Sequence, residues 1–196
     1  MVTRQHQPQH DTGDTTTPVA VAPAASPAAG YALGVLRIAL GWTFLWAFFD
    51  KLLALGFSTG RDETGAVDRF GDAAWINGGS PTEGFLAFGA AGPFEGFYHA
   101  IAGDAWTNWA FMLGLLAIGV ALTFGVFTIL GTLGGVVMYV MMWTVVLPPE
   151  NNPIIDDHII GALAVLVLGL LGASHYLGLG SRWQRQSIVA KFPVLR

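Results

Sequence analysis

Between two runs without any charged residue lies the stretch Glu150-Asn151-Asn152-Pro153-Ile154-Ile155-Asp156-Asp157-His158-Ile159-Ile160. The runs cover residues 131–147 and 159–173, and both are apolar enough to form membrane helices. We therefore expect the polar stretch at a membrane boundary, where acids and an imidazole within one turn can exchange protons with a molecule in the bilayer. The pattern favours a membrane protein with a site for a redox-active lipid at this boundary.

The composition excludes an ordinary soluble domain. Hydrophobic residues make up 53% of the 196 residues and charged residues only 11%, and the mean hydropathy is +0.55. Four apolar segments, at residues 31–49, 109–124, 127–147 and 159–177, are each close to the about 20 residues that cross about 30 Å of hydrocarbon. These segments predict an all-α integral membrane protein whose single domain is a bundle of four transmembrane helices.

The regions outside these segments predict two tails and one long loop. Residues 1–30 are polar and then rich in Ala and Pro, which is typical of a disordered cytoplasmic tail, and residues 178–196 form a basic cytoplasmic tail. The membrane domain covers residues 31–177, and residues 52–107 form an outer loop. Capping by Ser80 or Thr82 predicts one short interfacial helix in this loop, and apolar residues at helical spacing after Pro93 predict a second.

The distribution of charge predicts the orientation. Six basic residues lie on the side of the two termini, and Arg37 among them is expected to extend its charged end towards the interface. Three basic and eleven acidic residues lie on the other side, which gives that face a net charge of −8 with histidine neutral. Because cytoplasmic loops carry the excess of Lys and Arg, both termini are expected in the cytoplasm of a multi-pass protein of the cell membrane.

Several kinds of chemistry are disfavoured. The chain has no cysteine, so iron–sulfur ligation and thiolate chemistry are excluded. His158 and His175 are expected at opposite membrane faces, which argues against a bis-histidine haem, and no metal-ligand motif is present. No phosphate-binding loop or basic aromatic surface suggests a nucleotide or nucleic-acid partner.

The candidate site residues lie at the outer ends of the helices. Asp157 and His158 are candidates for proton transfer, and Asp156 is the expected N-cap of the fourth helix. Asp50 and Lys51 end the first helix, where Lys51 could hold an anion or a quinone oxygen while Asp50 tunes it.

Five further side chains are candidates for contact with a cofactor. Trp42 and Trp46 share one stripe of the first helix and could either line a pocket for a flat ring or simply pack. Asn152 could bind a ligand or satisfy loop carbonyl groups, and the remaining candidates are Glu150 and His99.

Three motifs in this order resemble those of the DoxX/DoxD family of four-helix membrane proteins. They are Gly41-Trp42-Thr43-Phe44-Leu45-Trp46 leading to Asp50-Lys51, then Trp75-Ile76-Asn77-Gly78-Gly79-Ser80-Pro81-Thr82, then Pro149-Glu150-Asn151-Asn152-Pro153 with Asp156-Asp157-His158. The resemblance covers about residues 31–177 and is greatest to the DoxD branch, the large subunit of thiosulfate:quinone oxidoreductase. It implies a membrane quinone, either ubiquinone or menaquinone, as electron acceptor and a sulfur compound outside as donor.

The resemblance also implies partners. Enzymes of the DoxD type resemble two-part assemblies, so a smaller partner subunit or a soluble redox protein is expected, besides membrane lipid and possible copies of the same chain. A non-catalytic membrane scaffold that docks soluble redox proteins is the alternative function. A small-solute transporter is disfavoured because the apolar segments contain none of the broken helices that transporters use.

Overall fold

The computed structural model describes residues 26–196, so the expected tail over residues 1–30 lies almost wholly outside the described part. The described residues are all-helical. Eight α-helices follow each other along the chain: α1 (Pro27–Leu53), α2 (Glu83–Phe88), α3 (Glu95–Ile101), α4 (Ala105–Phe124), α5 (Thr128–Val145), α6 (Asp157–Leu170), α7 (Gly180–Trp183) and α8 (Ser187–Lys191).

Three helices, α1, α4 and α5, are long and apolar enough to cross a membrane. The fourth expected segment, residues 159–177, is helical only as far as Leu170, because Gly172 adopts a left-handed φ of 64° and a 3₁₀ turn follows over Ala173–His175. With 14 residues, α6 is about 21 Å long, less than the about 30 Å of a hydrocarbon core. A membrane protein is thus supported by three helices, and a fourth span remains a prediction.

The four longest helices pack side by side around one core. Helix α1 packs mainly on α4, α4 on α5, and α5 on α6. Helices α4 and α5 form the expected antiparallel hairpin, since Gly125 ends α4 in a left-handed conformation with a φ of 71°. The buried core consists of Phe44, Phe48, Met112, Leu115, Ile118, Leu122, Met138 and Val165.

Arg37 joins three parts of the fold at one end of the bundle. Its side chain is 1% exposed, so its charged end contacts carbonyl groups at the end of the bundle and not water. All three guanidinium nitrogens donate, and together they make five hydrogen bonds. Four of these have donor–acceptor distances of 3.0 to 3.3 Å. The acceptors are the carbonyl oxygens of Leu122, Thr123, Ala173, Tyr176 and Leu177. Because a helix leaves its last carbonyl groups unpaired, Arg37 supplies the donors that the end of α4 lacks.

At the other end, the long loop docks on the start of α4 through Asn108. The amide oxygen of Asn108 accepts hydrogen bonds from the Ser80 hydroxyl, the Thr82 hydroxyl and the Thr82 backbone N–H, at 3.0, 2.7 and 3.2 Å. Its amide nitrogen donates to the carbonyl oxygen of Gly103 at 3.2 Å. The two short helices expected in this loop are α2 and α3, and Ser80 accepts from the backbone N–H of Glu83 at the start of α2.

Candidate functional site at the start of α6

Asp156 uses its two carboxylate oxygens for two different tasks. One oxygen accepts from the backbone N–H groups of His158 and Ile159, at 3.1 and 3.2 Å, which caps α6 as expected. The other oxygen lies 2.6 Å from Nδ1 of His158. The side chains of His158 and Asp156 are 22% and 17% exposed, so this pair lies at the surface of the bundle but is partly shielded from water. Asp156, and not Asp157, is therefore the direct partner of the imidazole.

The environment of Asp156 keeps its carboxyl group ionised. Burial acts to raise the pKa of Asp156, but the hydrogen bonds from His158 and from the helix backbone outweigh burial and hold that pKa below its usual range. An ionised carboxylate can only accept, so Nδ1 of His158 carries the proton that it shares with Asp156. Nε2 of His158 is then the ring nitrogen that makes no hydrogen bond within residues 26–196.

Tyr139 of α5 places a phenol next to this pair. The ring centroids of Tyr139 and His158 are 6.5 Å apart, and the ring of Phe44 packs edge-on against Tyr139 at 5.1 Å. The phenol ring lies directly over Gly161, where an added Cβ would stand 2.6 Å from the ring. The Tyr139 hydroxyl faces the hydroxyl of Thr43 in α1. Polar groups thus extend from the surface pair on α6 across half-buried Tyr139 of α5 to exposed Thr43 of α1.

Asp157 occupies an exposed position in the first turn of α6. It takes no part in the hydrogen bonds or ion pairs found among residues 26–196. A negative charge in a first turn is favourable to the helix dipole. The Asp157 side chain is therefore exposed to water and is not the group that holds the imidazole.

Asp50 is buried and binds the loop that follows α1. Its side chain is 1% exposed, and its oxygens accept from the backbone N–H groups of Phe57 and Ser58 at 3.1 and 2.8 Å and from the Ser58 hydroxyl at 2.7 Å. Lys51 lies 3.4 Å from the same hydroxyl. The carboxylate therefore folds the loop back over the end of α1, with the Lys51 ammonium beside it. Asp50 and Lys51 lie at the same end of the bundle as His158, but no hydrogen bond or ion pair within residues 26–196 joins the two groups.

The two tryptophans of α1 form a small aromatic group with the same loop. The rings of Trp42 and Trp46 are 6.1 Å apart, and Phe57 packs edge-on against Trp46 at 4.9 Å. Trp42 is 51% exposed, whereas Trp46 is partly buried. Trp46 is thus the more enclosed of the two rings.

The other three candidates do not converge on the imidazole. Asn152 shapes its own loop, since its side-chain oxygen accepts from the backbone N–H groups of Ile154 and Ile155 at 2.9 and 3.1 Å. Glu150 and His99 are exposed, and neither side chain makes a hydrogen bond or ion pair among the described residues. No group of three potential ligands in residues 26–196 is arranged to hold a metal ion.

Tyr139 is the site residue that sequence reasoning missed. From the sequence, a tyrosine inside an apolar helix is interpreted as a residue of the hydrophobic core. Only the packing of α5 on α6 brings Tyr139 next to His158. The glycine three residues after His158 was the available signal, since a helix presents residues i and i+3 on one face and Gly161 leaves room there for a ring.

No protein-family model, curated protein or solved structure matches this chain. The function is therefore argued from this geometry and from the resemblance in the three motifs.

Proposed function

We propose that the protein is a membrane subunit of a quinone-linked oxidoreductase of the thiosulfate:quinone type, in which electrons pass from an external donor to membrane quinone. The observation that carries the proposal is the Asp156–His158 pair at 2.6 Å, with Tyr139 beside it, at the start of an apolar helix. A quinone needs such a group at the membrane boundary, because its reduction takes up two protons together with two electrons.

Each residue of the proposed site has its own role in proton transfer or in binding. Asp157 takes protons from water, and His158 passes them on through Nε2 while Asp156 holds Nδ1 and stabilises the charged imidazolium. Tyr139 extends the path from α6 across α5 towards Thr43 of α1. Lys51 steadies a quinone oxygen or the anionic donor, and Trp46 borders the quinone ring.

Oxidation of the external electron donor requires a partner protein. Thiosulfate is a dianion, and the outer face carries a net charge of −8, which lowers the local concentration of anions. The chain also has no cysteine that could accept sulfur or bind an iron–sulfur cluster. A smaller subunit or soluble redox protein that brings positive charge would supply both needs.

The test is purification in mild detergent followed by lipid extraction and assay of quinone. Quinone should copurify with the wild-type protein, and with a donor present His158→Gln should lower the rate of quinone reduction at least tenfold. His175→Gln is the matched control, since His175 bonds only to Ser181 and lies at the other end of the bundle. Equal quinone reduction by wild type and His158→Gln in an active preparation would refute the relay.

A second pair of variants tests whether Tyr139 takes part in proton transfer. Gly161→Ala should displace the phenol ring, which lies 2.6 Å from the added Cβ, and Tyr139→Phe should remove its hydroxyl alone. Both should slow proton uptake by the quinone, with a larger effect on kcat than on KM. Unchanged kcat in Tyr139→Phe would take Tyr139 out of the path.

The scaffold alternative is favoured by one observation on the outer loop. This loop exposes aromatic side chains among its acids, and Phe88 is 88% exposed. Such a surface fits the docking of soluble proteins. Copurification of soluble redox proteins without any quinone, together with full function of His158→Gln, would favour the scaffold.

A further inference from the structure

The basic segment 178–196, here called the basic cap, concentrates positive charge on an exposed surface. It contains no acidic residue, and all four of its cations are exposed. The one ion pair found within residues 26–196 is that of Asp156 with His158, so the cap cations have no carboxylate within 4.0 Å there. The four cations are Arg182, Arg185, Lys191 and Arg196.

Large apolar side chains lie on the same exposed surface. Ile188, Phe192 and Val194 are 50%, 56% and 52% exposed, although each is within a few residues of a cation. Exposed apolar groups of this size are unfavourable in water but favourable at the boundary between lipid headgroups and acyl chains. The cap therefore combines the two features of a surface that lies on a membrane.

The cap is folded against the helix ends and is not a free tail. The backbone N–H of Leu179 donates to the carbonyl oxygen of Phe124 at 2.8 Å, and the N–H of Ile129 donates to the carbonyl oxygen of Arg196 at 2.9 Å. The ring of Trp183 packs on Phe127 at 4.5 Å. These contacts hold the cap at the turn between α4 and α5, which is the membrane boundary for two helices of spanning length.

We propose that the basic cap binds the headgroups of anionic phospholipids in the adjacent leaflet. Its arginines can each donate two parallel hydrogen bonds to a phosphate, and its apolar side chains enter between the acyl chains. Charge complementarity identifies the occupant, because four exposed cations in a segment without acidic residues favour a negatively charged headgroup over a zwitterionic one. The proposal is independent of the quinone site, which lies at the other end of the bundle.

Native mass spectrometry of the full-length protein tests the proposal. The protein, purified in mild detergent, is mixed with equal amounts of phosphatidylglycerol and phosphatidylcholine, and the retained lipids are counted. We expect preferential retention of phosphatidylglycerol, which falls strongly in the triple variant Arg182→Gln/Arg185→Gln/Lys191→Gln, since each cation near an anionic surface changes partitioning roughly fivefold. The charge-retaining variant Arg182→Lys/Arg185→Lys/Lys191→Arg should keep most of the preference.

Matched single variants locate the effect. Arg185→Gln should lower the retention of phosphatidylglycerol, whereas Arg69→Gln, which removes one charge from the outer loop, should not. An equal loss in both variants, or equal retention of both lipids by the wild type, would overturn the proposal. Displacement of the lipid by inorganic phosphate at constant ionic strength would also overturn it, because it would indicate a site for a free anion.

The wild-type protein supplies a measurement that does not depend on how the variants fold. Raising the salt from about 0.15 M to about 1 M shortens the Debye length from about 8 Å to about 3 Å. The preference for phosphatidylglycerol should then decrease by several fold. A preference that is unchanged by salt would contradict binding through the cations.

Discussion

At the scale of single residues, the positions of Arg37 and Asp50 have the same physical cause. Each is 1% exposed, and each carries a charge that would be costly to bury without partners. Arg37 meets this cost with five carbonyl acceptors, and Asp50 with three donors from Phe57 and Ser58. Both residues fix a chain segment to a helix end, so their charges stabilise the fold and are unavailable to a substrate.

Replacing Arg37 tests this stabilising role. Arg37→Leu should lower the free energy of unfolding by about 3 kcal/mol, because several buried carbonyl groups lose a charged donor. Arg37→Lys should recover only part of the loss, since an ammonium has three donors and lacks the planar fork. Thermal unfolding in detergent measures both. Arg69→Leu is the exposed control, and a Tm of Arg37→Leu equal to that of the control would contradict the role.

The low pKa of Asp156 gives stability that depends on pH. Because its pKa is lower in the folded protein than in the unfolded chain, its contribution is complete above the unfolded value of about 3.9 and is lost as pH falls through the folded pKa. Asp156→Asn keeps a good capping group but does not titrate. The Tm of the wild type should therefore decrease more steeply than that of Asp156→Asn below about pH 4. Parallel pH profiles would show that Asp156 does not titrate with folding.

At the scale of elements, the sequence predicts helices better than it predicts where they end. Hydrophobic runs located α1, α4 and α5, and a Ser or Thr before an apolar pattern located α2. The end of α6 was placed at residue 177 because the apolar run continues, although Gly172 and the Arg37 contacts turn the chain after Leu170. Tertiary contacts of this kind leave no periodic signal in the sequence.

The same reasoning explains which site residues could be found. Asp156 and His158 lie only two residues apart in the sequence, so the sequence indicates their local chemistry, although the assignment of the imidazole to Asp156 and not Asp157 needs side-chain geometry. Tyr139 reaches the site only through the packing of α5 on α6. The sequence of the basic cap is typical of a charged tail and does not predict that this segment folds onto Phe127.

Asn108 is the element-scale test, because its side chain binds Ser80 and Thr82 of the outer loop to the start of α4. Asn108→Ala should leave the donors of Ser80 and Thr82 without their shared acceptor and lower the free energy of unfolding by about 1 to 3 kcal/mol. The outer loop should become more sensitive to protease while the helix content measured by circular dichroism stays the same. Asn151→Ala, at an exposed position, is the control. Equal protease sensitivity in both variants would refute the docking role.

At the scale of the whole molecule, the two ends of the bundle have opposite charge. The end with the basic cap carries four exposed cations, whereas the end with Asp156 and the outer loop belongs to the face with a net charge of −8. Anionic lipids attract basic surfaces, and Lys and Arg are retained on the cytoplasmic side during insertion. Both effects favour the same orientation, with the basic cap in the cytoplasm and the proposed quinone site outside.

Protease accessibility in intact cells tests this orientation. A tag after Arg196 should be protected, whereas a cleavage site inserted beside Gly65 should be cut, because this turn is exposed and has open space around it. Gly65 is a better insertion point than Gly79, whose surroundings are filled by the backbone of Ala73. Cleavage at the C-terminal tag with protection at Gly65 would reverse the orientation. The proton-exchanging pair would then face the cytoplasm, and an external electron donor could not reach it.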